Sequence, residues 1–450
     1  MGTSYRPYQP DQAYLLPPSL REWLPEDHLA YFISDTIDAL DLRVLYERYE
    51  GDGRRNRPYH PAMLLKVLVY CYATGVFSSR RIAAKLVEDV ALRVLAAGNR
   101  PDFRTINRFR QQHLETFGEL FVEVVRLARR MGLVKLGTVA LDGTKVRANA
   151  SKHKAMSYER MQAEERRLEQ EIRALLERAQ QIDLAEDELY GEEYRGDELP
   201  EELRRREQRL AKIREAKRAL EAEQAGQDQA RGRRVGDGKV ASGKRPQGGV
   251  SKFQREYGEP PPKTQRNFTD PESRIMKLQQ GFEQCYNAQA VVEEGRQLIV
   301  AQQVGQNAAD NGVLLELVDE VERNTGSKPQ RVLADAGYRS EENFAGLEGR
   351  QVEGLVALGR EGRASRSEQP KVAGAATARM RRRLAERRGQ QYYARRKGLV
   401  EPVFGWLKAR LGFRQFSLRG LRKVQGEWSL VTLALNLRRM AGMVPLATVG

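Results

Sequence analysis

Residues 134–146, VKLGTVALDGTKV, decide the fold class of this chain. Before them, apolar residues recur every three or four positions, as in a helix, whereas here the period shortens towards two, as in a strand. Asp142 lies at the end of this predicted strand. Because strands and helices alternate after it, residues 134–146 mark the entry into an α/β sheet.

The segments that follow are predicted from the same periodicities. They are strands at 282–292 and 297–304, a helix at 311–324, a strand at 330–337, a helix at 340–347, a strand at 354–360 and helices from about 375 onwards. This order predicts a sheet with helices on its faces.

Residues 19–130 are predicted to be entirely helical. A helix that Ser78 and Ser79 can cap is followed by the turn NRPD and by a second helix with Asp102 as its N-cap. This pair resembles a helix-turn-helix, which places cations of both helices near DNA. The alternative is a plain helical bundle with solvated arginines. The candidate DNA contacts are Arg80, Arg81, Arg104, Arg108 and Arg110.

The composition points to a polyanionic partner. The chain has 450 residues, with 77 Lys and Arg against 61 Asp and Glu, a net charge of +16. Such a surplus suits nucleic acid or an anionic membrane surface. Two cysteines exclude a disulfide framework, and four scattered histidines exclude a Cys/His zinc site. With no signal peptide and no apolar stretch of about 18 residues, we expect a soluble cytoplasmic protein that binds nucleic acid and no membrane.

The charge is unevenly distributed. Residues 151–225 hold 16 basic and 20 acidic residues, whereas residues 359–398 hold 13 basic and 3 acidic ones.

Apolar spacings in 158–223 predict two amphipathic helices in an antiparallel hairpin, which either supports dimerisation or only braces the core. Residues 224–263 are predicted to be a flexible basic linker, which tracks DNA or acts as a spacer. The basic block includes Arg381, Arg382 and Arg383, and it predicts a phosphate-contacting stripe or, alternatively, a solvated helix.

Three carboxylates stand out by position. Asp142 ends the first strand, Asp335 directly follows the short strand at 332–334, and Glu401 lies in a late helix. Three such oxygen donors, if they converge, suit a hard divalent cation. Two Mg²⁺ ions about 4 Å apart can activate water and stabilise the leaving oxygen in phosphodiester cleavage.

Other residues support or compete with this set. Lys145 and Arg147 follow Asp142 as possible phosphate ligands. Asp270 and Asp310 compete for the second position, but we expect the first in a turn and the second as a helix cap. A continuous helix would align Tyr393, Lys397, Glu401 and Lys408 on one face, although Pro402 is expected to kink it.

Three blocks carry a family resemblance. They are LDGTKVRANAS at 141–151, ADAGYRSEENF at 334–344 and YYARRKGLVEPVFGWLKARLGFRQFSLRGL at 392–421. In this order they resemble bacterial insertion-sequence transposases with a DDE triad. The segment from Tyr59 to His113 is similar to the helical domain that precedes their core. FTDPESRIMK at 268–277 and YNAQ at 286–289 resemble blocks of the subgroup with a long insertion after the first strand.

The resemblance implies an α/β fold with a ribonuclease-H-like mixed sheet, an all-helical N-terminal domain and a helical-hairpin insertion after the first core strand. It makes Asp142, Asp335 and Glu401 the triad that binds two Mg²⁺ ions, with Mn²⁺ as a substitute. Tyr393, Lys397 and Lys408 would correspond to the Tyr, Arg and Lys around the family's glutamate. The sequence departs from that pattern, because Tyr393 lies eight residues before Glu401 instead of seven and Lys397 replaces the arginine. Arg396 is the alternative source of the guanidinium.

The hypothesis is therefore a bacterial, nucleoid-associated DDE transposase, expected as a homodimer on double-stranded DNA. It would cleave the element's terminal repeats and join their 3′-hydroxyl ends to target DNA. The alternatives are a metal-dependent nuclease without strand transfer and a DNA-binding protein that has lost catalysis. The predicted divisions are a helical DNA-binding domain at 1–132, the first part of the core at 133–157, the hairpin at 158–223, the linker at 224–263 and the rest of the core at 264–450.

Overall fold

The fold is taken from a computed structural model, which describes residues 19–47, 49, 58–190, 201–236, 255–279, 281–359 and 374–443. The middle of the predicted linker, the tip of the predicted hairpin and residues 360–373 of the basic block lie outside these residues.

The predicted strands and helices occur in the predicted order after a helical N-terminal region. The first helices are α1 Leu29–Asp38, α2 Arg43–Glu47, α3 Pro61–Ala73, α4 Ser79–Glu88, α5 Val90–Leu95, α6 Phe103–Gln112 and α7 Leu114–Arg130. Next come β1 Thr138–Arg147, β2 Ala155–Ser157, α8 Tyr158–Tyr190, α9 Glu201–Ala230, β3 Gln265–Asn267, β4 Arg274–Leu278, β5 Gly281–Glu293 and β6 Ile299–Gly305. The chain then forms α10 Leu314–Thr325, β7 Arg331–Ala334, α11 Glu341–Gly349, β8 Glu353–Val356, α12 Ala375–Ala385, α13 Arg387–Ala394, α14 Arg396–Gly405 and α15 Leu421–Ala441. The structure thereby adds three strands that were not predicted, β2, β3 and β4.

The main sheet is mixed, and β1 lies near its centre. On one side β1 pairs antiparallel with β5, from Val139 opposite Glu293 to Arg147 opposite Cys285. Both β4 and β6 pair antiparallel with the far side of β5. On the other side β1 pairs parallel with β7, and β7 pairs parallel with β8. The predicted mixed α/β architecture is therefore confirmed.

Two long helices predicted in the N-terminal region are each divided. Asp89 has an extended backbone and its side chain accepts a hydrogen bond from Leu92 N at 3.2 Å, so α5 restarts there. His113, with φ −113° and ψ 28°, separates α6 from α7 and packs its ring against Phe109. Ser78 stands at the N-cap of α4 without a side-chain capping bond, whereas the predicted cap by Asp102 is confirmed at 2.7 Å to Thr105 N.

One hydrophobic core joins the N-terminal helices to the sheet. Its buried apolar residues form one contiguous cluster that includes Ala30 of α1 and Met440 of α15. The C-terminal helix α15 packs against α3, α7 and β6. Trp428 at its middle is fully buried and donates from Nε1 to the main-chain oxygen of Gln289 at 3.1 Å. Such shared packing fixes the N-terminal helices relative to the sheet.

The helices α8 and α9 lie antiparallel and are joined by ion pairs. Arg214 bonds Glu165 and Glu169, while Arg206 bonds Glu171 further along. The apolar seam includes Met161, Leu168, Leu210, Ile213 and Leu220, as the heptad spacing predicts. Ala179 and Ile182 continue the apolar spacing from which the first helix of the hairpin was predicted, but their side chains lie outside the described residues.

The predicted start of the linker at residue 224 is wrong, because α9 continues to Ala230. Asp228 is fully buried near its end and pairs with Arg233 at 3.0 Å and Arg255 at 2.9 Å. It also accepts from Gly258 N at 3.0 Å. A buried carboxylate needs such partners, and they hold the helix end against residues 255–259.

The helix α14 continues through Pro402 to Gly405, so it does not end or restart after Glu401. Proline removes the N–H that would bond the oxygen of Gly398, and Gln297 Nε2 donates to that oxygen instead, at 2.8 Å. The irregularity falls later, in a π-helical turn at Trp406–Arg410. A turn at Arg395 separates α13 from α14, so Tyr393 does not lie on one continuous helix with Glu401.

No helix within the described ranges is long and apolar enough to cross a membrane.

Candidate active site

Two of the three predicted carboxylates lie side by side within the sheet, where β7 ends against β1. Leu141 on β1 pairs with Ala334 on β7, and each is followed directly by the aspartate. Asp335 follows the last residue of β7 and lies beside Asp142 of β1. The expectation that Asp142 ends its strand is wrong, because β1 continues to Arg147 and Asp142 itself pairs with Ala290 on β5. The Asp335 side chain accepts from Gly337 N at 2.8 Å and caps a short turn there. Asp142 accepts from its neighbour Gly143 N at 2.8 Å.

Arg396 supplies positive charge to this pair. Its Nη1 donates to Asp142 Oδ2 at 3.1 Å, and its side chain is 10% exposed. Burial raises the pKa of Asp142, the charge of Arg396 opposes that rise, and the charge of Asp335 adds to it. The two carboxylates therefore lie close together in a partly buried place, and the single positive charge of Arg396 does not neutralise both of them.

A third carboxylate, Asp310, faces the pair and was expected only as a helix cap. The structure corrects that expectation, since the N-cap of α10 is Val313 and has no side-chain capping bond. Asp310 Oδ1 instead accepts from Asn287 Nδ2 at 2.6 Å and Gln289 Nε2 at 2.7 Å. A Cβ on Gly337 would lie 3.0 Å from Asp310 Oδ2 and 2.9 Å from Asp335 Oδ1, so these carboxylates approach each other closely across Gly337.

Asp270, the other competing aspartate, has a structural role. It is fully buried, accepts from Tyr286 Oη at 2.8 Å and from Gly420 N at 3.2 Å, and burial raises its pKa. It thereby ties β5 to the start of α15, away from the Asp142–Asp335 pair.

Glu401 is exposed on α14 and does not join the two aspartates in this arrangement. The opposite face of that helix packs inward through Leu399, Val400 and Val403, and the helix contacts β1. Within the described ranges, no group of three or more His, Cys, Asp and Glu side chains is placed to hold a metal ion. The hard oxygens of Asp142 and Asp335 have the chemistry that a divalent cation requires.

The other residues predicted around the glutamate are dispersed. Lys397 is exposed, and Tyr393 is half-buried at the end of α13. Lys408 Nζ donates to the main-chain oxygen of Lys145 at 3.3 Å, and burial lowers the pKa of Lys408. The guanidinium beside Asp142 thus comes from Arg396, the alternative position, and Lys408 lies beside the strand that carries Asp142.

Some of the arginines predicted to contact DNA have exposed side chains, whereas others are buried or bonded to other residues of the chain. Arg110 is only 4% exposed and donates to Tyr72 Oη, the oxygen of Phe77 and Asn107 Oδ1, so its prediction as a surface contact is corrected. Arg383 pairs with Glu348 at 2.7 Å. Those with exposed side chains are Arg80, Arg81, Arg104, Arg108, Arg147, Arg381 and Arg382.

Sequence reasoning missed the polar residues that support the pair. Gln289 lies opposite Gly143 in the β1–β5 register, and its Oε1 accepts a short hydrogen bond from Tyr338 Oη. Together with Asn287 it orients Asp310 towards the aspartates. The YNAQ block was the available signal, because amides in a buried strand need partners and therefore point to a polar site.

Comparison with known families identifies both parts of the chain. A family model described as Transposase DDE domain matches residues 251–437, and another described as Transposase domain (DUF772) matches residues 18–112. Asp142 lies between the matched ranges, while Asp335 and Glu401 lie inside the first. No curated protein and no solved structure matches the chain. Both matches are to transposase domains, and together they indicate an insertion-sequence DDE transposase with a helical N-terminal region.

Proposed function

We propose that this transposase cleaves DNA at the ends of its insertion sequence and joins the freed ends to target DNA, using Asp142, Asp335 and Glu401. The observation that carries the proposal is the Asp142–Asp335 pair, in which Asp335 follows the end of β7 beside Asp142 of the parallel strand β1. Glu401 is proposed as the third ligand because α14 contacts β1 and also carries Arg396, which bonds Asp142. Glu401 would have to turn towards the pair when DNA binds.

The sheet is proposed to be a ribonuclease-H-like core. The support is its strand order, with antiparallel strands on one side of β1 and parallel β7 and β8 on the other. The pair α8 and α9 would then be an insertion after the first core strand. Because two element ends must be brought together, a homodimer in the bacterial cytoplasm is the simplest working form.

The chemistry needs a cation and positioned phosphates. When bound at these carboxylates, Mg²⁺ or Mn²⁺ would supply Lewis-acid stabilisation and a nucleophilic water. Arg396 opposes the effect of burial on Asp142 and bonds its carboxylate, and we propose that Lys145, Arg147 and Lys408, along or beside β1, hold phosphates. Arg81, Arg381, Arg382, Arg383, Tyr393 and Lys397 are further proposed DNA contacts.

The proposed reaction has two steps. Water attacks the phosphorus at the element's end, the bond to the 3′ oxygen breaks, and that oxygen leaves as a 3′-hydroxyl. This hydroxyl then attacks a phosphorus in target DNA, whose own 3′ oxygen leaves. No carboxylate becomes covalently attached in either step.

The test uses linear DNA with both ends of the element, a supercoiled target plasmid and Mg²⁺. We expect products in which the element's 3′ ends are joined to the plasmid, and no such products with a chelator. Nicks without joined products would favour the nuclease, and binding without nicks would favour a protein that has lost catalysis.

Replacing Gly143, which follows Asp142 in β1, by alanine is expected to slow DNA cleavage. A Cβ there would lie 2.3 Å from Gln289 Nε2 and 2.9 Å from Asp310 Oδ1. These are ends of side chains, so Gly143→Ala should fold but displace the amide from Asp310. We expect DNA cleavage to fall roughly 10- to 100-fold, the range for loss of a supporting contact at a metal site. Gly137→Ala is the matched control, because no atom lies within 4 Å of the added Cβ. Equal cleavage rates in both variants would contradict the supporting role of Gln289.

A further inference from the structure

A groove of about 1000 Å³ separates the N-terminal helices from the loop that precedes α15. One wall is formed by α6 and the start of α4, and it includes Arg80, Arg104 and Arg108. The other wall belongs to the catalytic core and includes Asn149, Gln415 and Lys423. The groove thus lies between two parts of the chain that match different family models.

The lining has a consistent chemistry. Lysine and arginine side chains contribute to both walls, and no carboxylate is among the described residues that line the groove. The remaining polar groups are mainly amides and hydroxyls, such as Asn107, Gln111 and Ser417. Cations favour phosphates, while arginine and amide side chains can pair with base edges. The combination fits double-stranded DNA better than a small anion, which would not need so many amides.

One face of α6 is directed at the groove. Phe103, Asn107 and Gln111 recur at intervals of four and line it, whereas Ile106 and Phe109 are buried on the other face. Arg80 and Arg104 lie over the ring of the exposed Phe103, at 5.3 and 5.7 Å from its centroid. This gives the start of α6 an aromatic surface between two cations, which suits contact with DNA.

The two walls are held together by buried hydrogen bonds. Arg110 of α6 donates to Tyr72 Oη at 2.9 Å, and Tyr72 Oη donates to Glu427 Oε1 at 3.3 Å. Glu427 also accepts from Ser417 N at 2.9 Å and Leu418 N at 3.0 Å in the opposite wall. The groove is therefore preformed, and binding in it would not require the walls to become ordered.

We propose that this groove is a single site for duplex DNA, so that the N-terminal helices and the catalytic core grip the same stretch of the element's end. The inference rests on the proposed function for the identity of the DNA. It goes further by assigning Asn149, Gln415 and Lys423 of the core to recognition of the element's end, together with α6.

The test measures binding of the full-length protein, with chelator present, to a duplex of roughly 30 base pairs, about three helical turns, from the element's end. We expect Arg108→Ala and Lys423→Ala each to weaken binding about tenfold and to lower the salt dependence by about one counterion. Lys135→Ala is the matched control, because Lys135 is exposed and precedes β1 at the end opposite Asn149. It should bind like the wild type.

Photo-crosslinking then asks whether both walls meet one stretch of DNA. A photoreactive residue at Gln111 and another at Gln415 should attach to positions within about one helical turn, roughly 10 base pairs, of each other. Wild-type binding by Lys423→Ala, or crosslinks from Gln415 only to distant positions, would overturn the shared groove and leave the proposed function intact. Failure of the wild-type protein to bind this duplex would overturn both.

Discussion

Replacing Asp335 by asparagine is expected to abolish DNA cleavage and joining while the protein still folds and binds DNA. Asparagine keeps the size and the acceptor for Gly337 N, which Asp335 caps at 2.8 Å. It removes a charge from the pair with Asp142. A cation held by that charge would stabilise the transition state by several kcal/mol. Because each 1.4 kcal/mol corresponds to about a tenfold change in rate, the rate of cleavage should fall by roughly a thousandfold.

The measurement is the rate of 3′-end cleavage at saturating protein, so that binding does not limit it. Glu342→Gln is the control, since Glu342 is an exposed carboxylate on the following helix α11 and its loss changes the net charge equally. It should cleave at the wild-type rate. Cleavage by Asp335→Asn within about threefold of wild type, far short of the loss expected for a cation ligand, would remove Asp335 from the site.

Replacing Glu427 by alanine is expected to destabilise the fold strongly. Glu427 is fully buried and accepts from Tyr72 Oη, Ser417 N and Leu418 N. Its removal leaves these donors unpaired and leaves Arg110, which bonds Tyr72, without a nearby carboxylate. Breaking a buried charged network of this kind costs about 3–5 kcal/mol, and urea unfolding would measure the loss.

Arg422→Ala on the same helix is the comparison for this variant. Arg422 pairs with Glu115, but the two side chains are 80% and 68% exposed, so little stability should be lost. If Glu427→Ala unfolded within about 1 kcal/mol of wild type, as an ordinary surface substitution does, the link between the walls of the groove would be unimportant for stability.

Much of the fold could be predicted because its elements depend on local patterns. The strand around Val139 and the short apolar strand before Asp335 were recognisable from sequence. The breaks at Asp89 and His113 were not, because they depend on a side-chain cap and on packing within the assembled domain. The course of α14 through Pro402 depends on Gln297, which lies more than one hundred residues away in the sequence.

The candidate site was also predictable from the sequence only in part. The adjacency of Asp142 and Asp335 was predictable, because it follows from one pair of parallel strands. The position of Asp310 was not predictable, because its carboxylate accepts hydrogen bonds from two amide side chains of β5 and does not cap α10. Arg110 looks like a surface cation in a charged stretch, and only the packing of Tyr72 against it shows that it is buried.

The most direct test of the account is the position of Mn²⁺ in a crystal of the protein bound to the DNA of one element end. Anomalous scattering locates the metal independently of the protein atoms. We expect a peak bonded to both Asp142 and Asp335, at about 2.1 Å as for other oxygen ligands of small divalent cations, with Glu401 turned inward as a further ligand. Metal bound elsewhere, with Asp142 and Asp335 contacting only protein, would contradict the account.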